Sequence, residues 1–196
     1  MPDKDEINMF PEIGMKIRKC LEGDIAGAGE FYDGIVKWLD EHINYPRWIY
    51  GVYPSADSVR AMAKDGAQYL CISGGKIVGA FALNAQPQGC YGKGSWKRDL
   101  PEGDYMVLHA LAVVPEMQRQ GTASEIIRFC INQAGAQGYK AIRVDIVPDN
   151  YPVRKLFEKN GFTWAGDVDL ELNIGNIPAF SLYELNLKTK WNSGFL

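Results

Sequence analysis

MVLHALAVVPEMQRQGTASEIIRFCINQA, residues 106–134, divides into three segments. Residues 106–113 are an apolar run of strand length. Residues 115–120 are polar and cannot continue that strand, because Pro115 has no backbone donor. From Gly121 onward the apolar residues fall at Ala123, Ile126, Ile127, Cys130, Ile131 and Ala134, the i, i+3, i+4, i+7 spacing of one helix face. The unit is a strand, a tight loop and an amphipathic helix, with small residues where loop becomes helix.

A helix N-terminus carries unpaired N–H groups and about half a positive charge. Gly121 and Ala123 let a bulky anion approach that backbone, so a phosphate or pyrophosphate is the natural guest. Two common phosphate fingerprints are absent from the sequence: there is no G-x-x-x-x-G-K-[ST], and the glycines do not space as G-x-G-x-x-G. The residues do match V-x-P-x-x-Q-x-x-G-x-A, from Val113 through Pro115, Gln118 and Gly121 to Ala123. Here the chain resembles the GNAT superfamily of N-acetyltransferases, which bind acetyl-coenzyme A on this loop.

The flanking chain supplies the other elements. Residues 1–10 read as a loose tail. Ile13, Met15 and Ile17 alternate with Gly14, Lys16 and Arg18, as in a half-buried first strand. Asp24 stands as N-cap to a helix over 25–40 with Phe31, Ile35, Trp38 and Leu39 on one face; Gly27, Gly29 and Gly34 run against it. After an aromatic segment, 45–54, Ser55 caps a short helix over 56–65 that Gly66 closes. Residues 68–73 and 77–84 read as strands joined at Gly74-Gly75. Residues 86–105, rich in Gly, Pro, Lys and Asp, read as a long loop of the functional or mobile kind. Residues 140–147 form the next strand, parallel to 106–113 because about 25 residues of helical crossover join them. A second short helix opens at Pro148-Asp149-Asn150, sets Val153, Leu156 and Phe157 on one face, and ends at Gly161. Residues 164–172 and 179–187 close the chain as an antiparallel pair around a turn at 173–178.

Residues 145–162, DIVPDNYPVRKLFEKNGF, extend the resemblance: an acidic strand residue, then Asn150, then a helix ending in E-K-x-G-F. The likeness runs over residues 67–187 and more loosely over 13–66, where W-x-x-G-x-Y-P from Trp48 looks like a bacterial branch of the superfamily. It implies a mixed α/β fold: a mostly antiparallel sheet of about seven strands, one parallel pair splayed for the cofactor, and about four helices. It implies a single N-acetyltransferase domain over 1–196.

The resemblance also implies roles. Backbone groups of Leu111, Ala112 and Val113 would pair with the pantetheine arm as an added strand. The N–H groups of Gln118, Arg119, Gln120, Gly121, Thr122 and Ala123 would hold the pyrophosphate, and Ser124 would add a hydroxyl. Asn150 would anchor the pantetheine or thioester end. Phe157 occupies the cofactor-side position where many members carry a tyrosine that protonates the leaving thiolate. A phenyl ring has no proton to give, so Tyr151 or Tyr183 would have to substitute, or the acid be dispensed with. No metal is needed. Asp145 stands where several members carry a catalytic acidic residue and is the first candidate to take the amine's proton, with His109 the second. Each has a plainer reading: Asp145 as a solvated carboxylate or a partner of Arg143 or Lys140, His109 as a hydrogen-bonded core residue. Glu171 and Glu184 could face the acceptor. The aromatics of 45–54 would wall its groove or simply pack.

Composition narrows the field. A chain of 196 residues, 46% hydrophobic, can bury a sizeable core as one domain. A net charge of −3 lacks the basic excess of a nucleic-acid binder. Cys20, Cys71, Cys90 and Cys130 make no C-x-x-C pair, which argues against zinc and a disulfide scaffold. The N-terminus lacks a signal-peptide core, and no apolar run reaches about 18 residues. The expectation is a soluble cytoplasmic monomer or homodimer that binds neither nucleic acid nor membrane. It would move an acetyl group from acetyl-coenzyme A to a primary amine of a small molecule or peptide. Phe157 favours one rival, a non-catalytic acetyl-coenzyme A-binding sensor or interaction module on the same fold. A nucleotide-binding α/β protein of another class is a weaker rival, since the P-loop lysine is missing.

Overall fold

Alternation, caps and paired glycines set the element order in the computed structural model, which describes residues 7–10, 14–175 and 177–188. The elements are β1 Ile7–Phe10, β2 Met15–Lys19, α1 Ile25–Asp40, α2 Ala56–Lys64, β3 Gln68–Ser73, β4 Lys76–Asn84, β5 Tyr105–Val113, α3 Thr122–Ala136, β6 Ala141–Ile146, α4 Tyr151–Lys159, β7 Thr163–Val168 and β8 Phe180–Asn186. One eight-stranded sheet takes the order β1-β2-β3-β4-β5-β6-β8-β7. Its neighbours are antiparallel except for β5 and β6, which run parallel as the crossover predicts. Among the described residues no helix is long and apolar enough to cross a membrane.

The first departure from the sequence reading is at the N-terminal edge. Ile7–Phe10, taken as loose chain, is a strand paired with β2, Ile7 opposite Ile17 and Phe10 opposite Met15. The pairing is main-chain, so side-chain pattern does not announce it. Residues 1–6 of that tail, and Ile13 of the predicted first strand, lie outside the described residues.

α1 spans the predicted range despite its glycines. A Cβ on Gly29 would lie 2.8 Å from the Cβ of Ala56, so the glycine admits the close approach of α2. Asp24 is at the N-cap but makes no capping bond. Its carboxylate instead accepts from Arg18 at 2.5 and 2.9 Å and from the Leu21 N–H at 2.9 Å. α2 has the capping expected of Ser55, whose hydroxyl accepts from the Ser58 N–H at 3.4 Å. Gly74 and Gly75 both take positive φ, which is what a two-residue hairpin turn between β3 and β4 asks for.

One face of the sheet is covered by α3 and α4. There Met106, Leu108, Ile142, Val144 and Ile146 pack with Ile126, Ile127, Phe129, Cys130 and Phe157. The other face is covered in two halves. α1 and α2 pack on β3–β5 through Tyr32, Ile35, Val59, Leu70, Ala80 and Ala112. Segment 86–105 packs on β5–β8 through Tyr91, Tyr105, Val107, Ala165 and Leu182. The β5–β6 junction lies where the two halves meet.

That segment is a long connection, as read, but it is built into the core. Tyr91 is 1% exposed. The Trp96 indole donates to the Tyr91 carbonyl at 2.8 Å, and the Ser95 N–H to Ala165 at 2.7 Å. The Cys90 N–H donates to the Leu170 carbonyl at 3.0 Å. This last contact helps end β7 at Val168 rather than at the predicted 172. The Asp169 side chain also accepts from the Glu171 N–H at 2.8 Å, a local turn that competes with the ladder. β8 enters between β6 and β7; residue 176 of the intervening turn is outside the described residues.

Candidate active site

β5 and β6 pair at Tyr105–Ala141, Met106–Ile142 and Val107–Arg143, where their ladder stops. On its other edge β5 follows β4 to Val113, but Ala80 faces Ala112 while Ala82 faces His109. Ala110 and Leu111 therefore answer Phe81 alone, a bulge that bends β5 away from β6. Ala110 sits at φ 48°, and the Tyr32 hydroxyl donates to its carbonyl at 2.9 Å. Beyond Val107 the β6-side backbone of β5, including the stretch through Leu111, Ala112 and Val113, has no strand partner among the described residues. An extended ligand can add there as a strand would.

The loop after β5 folds its side chains inward. The Gln118 carboxamide donates to the Val113 carbonyl at 3.1 Å, the Gln120 carboxamide to Glu116 at 2.6 Å, and the Thr122 hydroxyl to Met117 at 2.9 Å. What this leaves outward is backbone. Arg119 and Gly121 both take left-handed φ, 59° and 90°, a conformation that gathers neighbouring N–H groups into a concavity. No side chain caps α3, so its first-turn amides, including those of Ala123 and Ser124, keep their donor capacity. A Cβ on Gly121 would meet nothing within 4 Å. Donors, helix dipole and open space in one place fit a pyrophosphate. Ser124 accepts from Asn160 at 3.1 Å and retains its own hydroxyl proton to donate.

Asn150 is 6% exposed and is the N-cap of α4, accepting from the Val153 N–H at 3.4 Å. Arg154 secures the turn by donating to the Pro148 carbonyl at 3.1 Å. Phe157 is a core ring, 3% exposed and edge to face with Phe162 at 5.0 Å. Of its possible substitutes, Tyr183 has its hydroxyl committed, accepting from Arg154 and donating to Glu158, both at 3.0 Å. Tyr151 is exposed at the start of α4.

Continuing the β5–β6 register past its last pair sets His109 across from Asp145 at the mouth of the wedge. Both then lie on the face between the two covering halves, as Tyr105 and Arg143 do. The Tyr91 hydroxyl donates to Asp145 Oδ1. The two basic partners considered for Asp145 are engaged elsewhere. Arg143 donates to Glu184 at 3.0 Å and lies between the rings of Trp96 and Tyr105, 4.0 and 3.9 Å from their centroids. Lys140 pairs with Asp104. Glu184 is thereby a buried partner, 1% exposed, rather than an acceptor-facing group. Glu171 is off the strand and paired with Lys93.

His109 is 7% exposed, its Nε2 3.3 Å from the Asn84 carboxamide oxygen. Burial lowers its pKa, and the Asp145 charge counters this only in part. Tyr53 keeps 38% of its surface exposed, yet its phenol is pushed up to about 12, first by burial and then by Asp145. Tyr53 and His109 line a cleft with Tyr32, Pro54, Ser58, Met62, Gln68, Ala82 and Ala110. The enclosed part is about 20 Å³, room for about one water molecule. Arg47 reaches Asp149 at 3.0 Å, tying the aromatic segment to the β6–α4 turn. That segment both packs and lines: Trp48 meets Tyr32 edge to face at 6.2 Å, while Tyr53 faces the cleft.

Tyr91 and the Arg143 clamp were not singled out from sequence, and Tyr53 only as one of the aromatics of 45–54. Arg143 carried the one usable signal, a cation inside the apolar strand AIRVDI that has to find a buried partner.

The His109 shift makes a stability prediction. Its folded-state pKa lies below the ordinary 6.5, so the unfolded chain binds the proton first as pH falls through that value. Stability should begin to drop as pH falls toward 6.5 and go on dropping until the folded imidazole also takes its proton, by at most about 1.4 kcal/mol per pH unit for one proton. Thermal melts of His109→Gln should show a shallower fall over that range; parallel curves would refute the assignment.

Comparison with family models matches residues 35–162 to the acetyltransferase (GNAT) family. No curated protein sequence matches. Among solved structures the chain is similar to a GNAT-family acetyltransferase from Streptococcus agalactiae, with TM-score 0.70 and 17% identity over 89% of this chain and 96% of that one. It is similar to the ribosomal-protein-S18-alanine N-acetyltransferase of Escherichia coli, with TM-score 0.63 and 13% identity over 93% and 99%. A Salmonella typhimurium protein solved with its cofactor acetyl-CoA gives TM-score 0.61 and 18% identity over 89% and 94%. At these identities the likeness is one of fold.

Proposed function

The chain belongs to the acetyltransferase (GNAT) family, and from that premise we propose that it acetylates a primary amine of a small molecule or peptide, with Asp145 as proton acceptor. The observation that carries the reading is the wedge. β5 and β6 part beside an uncapped helix N-terminus, and a carboxylate stands at the point where they part.

Acetyl-coenzyme A, when bound, supplies the acetyl thioester, whose C–S bond breaks as the acceptor nitrogen forms the new C–N bond. The amides of residues 118–123 and the α3 dipole hold negative charge, with Ser124 adding a donor. The free edge of β5 at Leu111, Ala112 and Val113 lines up an extended arm, and the amide of Asn150 anchors its inner end. Asp145 takes the ammonium proton, and the remaining oxygen Oδ2 is the one left to do so, since Oδ1 is occupied by Tyr91. Neutral His109 stands beside it as a second route. Phe157 offers packing only, so the thiolate leaves without a phenol at that position.

The acceptor's amine nitrogen reaches Asp145 past Tyr53 and the β5 bulge, where the cleft has room for about one water-sized group. The cleft lining includes no Asp, Glu, Lys or Arg. Desolvating a further ammonium there is unfavourable. Monoamines with an apolar body should therefore show kcat/KM about tenfold or more above polyamines and aminoglycosides. Free-thiol release from acetyl-coenzyme A across an amine panel measures this. Silence with every amine would overturn amine acetylation; a preference for polyamines would overturn only the acceptor class.

A further inference from the structure

We infer that Tyr91, carried by the 86–105 segment, is the positioning residue that holds the Asp145 carboxylate turned for proton transfer. The inference rests on Asp145 being the proton acceptor, and its own content is that a connection outside the wedge sets that carboxylate.

Tyr91 is 1% exposed, and its hydroxyl donates to Asp145 Oδ1. The bond joins residues far apart in sequence, so the segment must be held to the sheet for it to persist. It is held from outside at three places and braced within itself at a fourth. The Cys90 N–H donates to Leu170 at 3.0 Å, and the Ser95 N–H to Ala165 at 2.7 Å. Trp96 donates to the Tyr91 carbonyl at 2.8 Å. Arg143, from the same strand as Asp145, lies over the Trp96 ring and donates to the Arg98 carbonyl at 3.2 Å. Gly89 shows how close the approach is, because a Cβ there would stand 2.1 Å from the Leu170 oxygen.

Such a device fixes the carboxylate rotation, so the acceptor ammonium meets Oδ2 and gives up its proton there as nitrogen becomes nucleophilic. Tyr91 is suited to donate and not to lose its proton, since burial first, and the Asp145 charge second, push its phenol well above the ordinary value. The other titratable groups facing Asp145 are His109 of β5 and Tyr53 of the 45–54 segment. Arg143, on β6 itself, is neutralised by Glu184 of β8.

The test is Tyr91→Phe in the full chain, which keeps the ring and removes the donor. Turnover should fall about tenfold, with the acceptor KM and the acetyl-coenzyme A Kd unchanged. In an Asp145→Asn background the same change should add nothing. A Tyr91→Phe turnover equal to that of the wild type overturns the inference, as does an equal loss in the Asp145→Asn background, which would mark packing alone. Should Tyr91→Phe not fold, Trp96→Phe decides on the same readout, because it removes the N–H that holds the Tyr91 carbonyl. A lower kcat at unchanged Kd supports the inference and a wild-type kcat overturns it. Asp145→Asn separates the two layers: an active variant sinks the proton-acceptor reading. An inactive one beside an unchanged Tyr91→Phe turnover sinks only the role of Tyr91.

Discussion

Gly121→Glu should fold and bind no measurable acetyl-coenzyme A. Gly121 is at φ 90°, and nothing lies within 4 Å of where its Cβ would be. A side chain there projects into the space in front of the uncapped α3 amides. The carboxylate then occupies the anion site and repels its guest, each pair of charges at 4 Å costing about 1 kcal/mol in water and about 4 at an effective dielectric near 20. A pyrophosphate carries more than one charge, so the affinity loss should be on the order of 10³-fold or more. Gly121→Ala is the control. It suffers the same left-handed strain, about 1–2 kcal/mol, without the charge, and should weaken binding by about thirtyfold at most. Calorimetry on both variants decides. Wild-type affinity in folded Gly121→Glu would remove the pyrophosphate from this loop, and equal losses in both would assign the effect to strain.

Residues 106–134 were legible because every physical signal in them agrees. The apolar strand, Pro115 as a stop and the helical period from Ala123 to Ala134 point one way, and β5, loop and α3 follow them closely. The bulge was not legible. Nothing in HALA marks Ala110 for a positive φ, since alanine ordinarily avoids it; the conformation is imposed by β4 on one side and the Tyr32 hydroxyl on the other. β1 was missed for a related reason, its partner being main chain. β7 was read too long, because its alternation continues past Val168 while the Leu170 carbonyl bonds to Cys90.

The site divides along the same line. The anion loop depends on backbone conformation that small residues permit, so Gly121 and Ala123 disclosed it. The surroundings of Asp145 depend on long-range side-chain contacts. Tyr91 sits in a glycine-rich stretch with no period to place it, and Tyr53 is one aromatic among several in 45–54. Arg143 could be suspected of needing a partner but not of choosing Glu184 over Asp145. The same contacts separate Phe157, whose ring the core absorbs, from the chemistry its position suggested.

Asp145→Asn should lower turnover on the order of 10²-fold or more while leaving acetyl-coenzyme A affinity unchanged. The substitution keeps the shape, and the carboxamide oxygen can still accept from the Tyr91 hydroxyl, so the surrounding segment has no reason to move. What disappears is the group that receives the ammonium proton. The residual rate of the variant should then climb with pH, because only acceptor that has already lost its proton to solvent can react. Steady-state rates at saturating acetyl-coenzyme A, taken across pH with one good acceptor, measure both effects. A rate within a few-fold of wild type would put the base elsewhere. His109→Gln would then be the next variant to assay, since that imidazole lies across the wedge and, neutral through burial, is able to accept a proton.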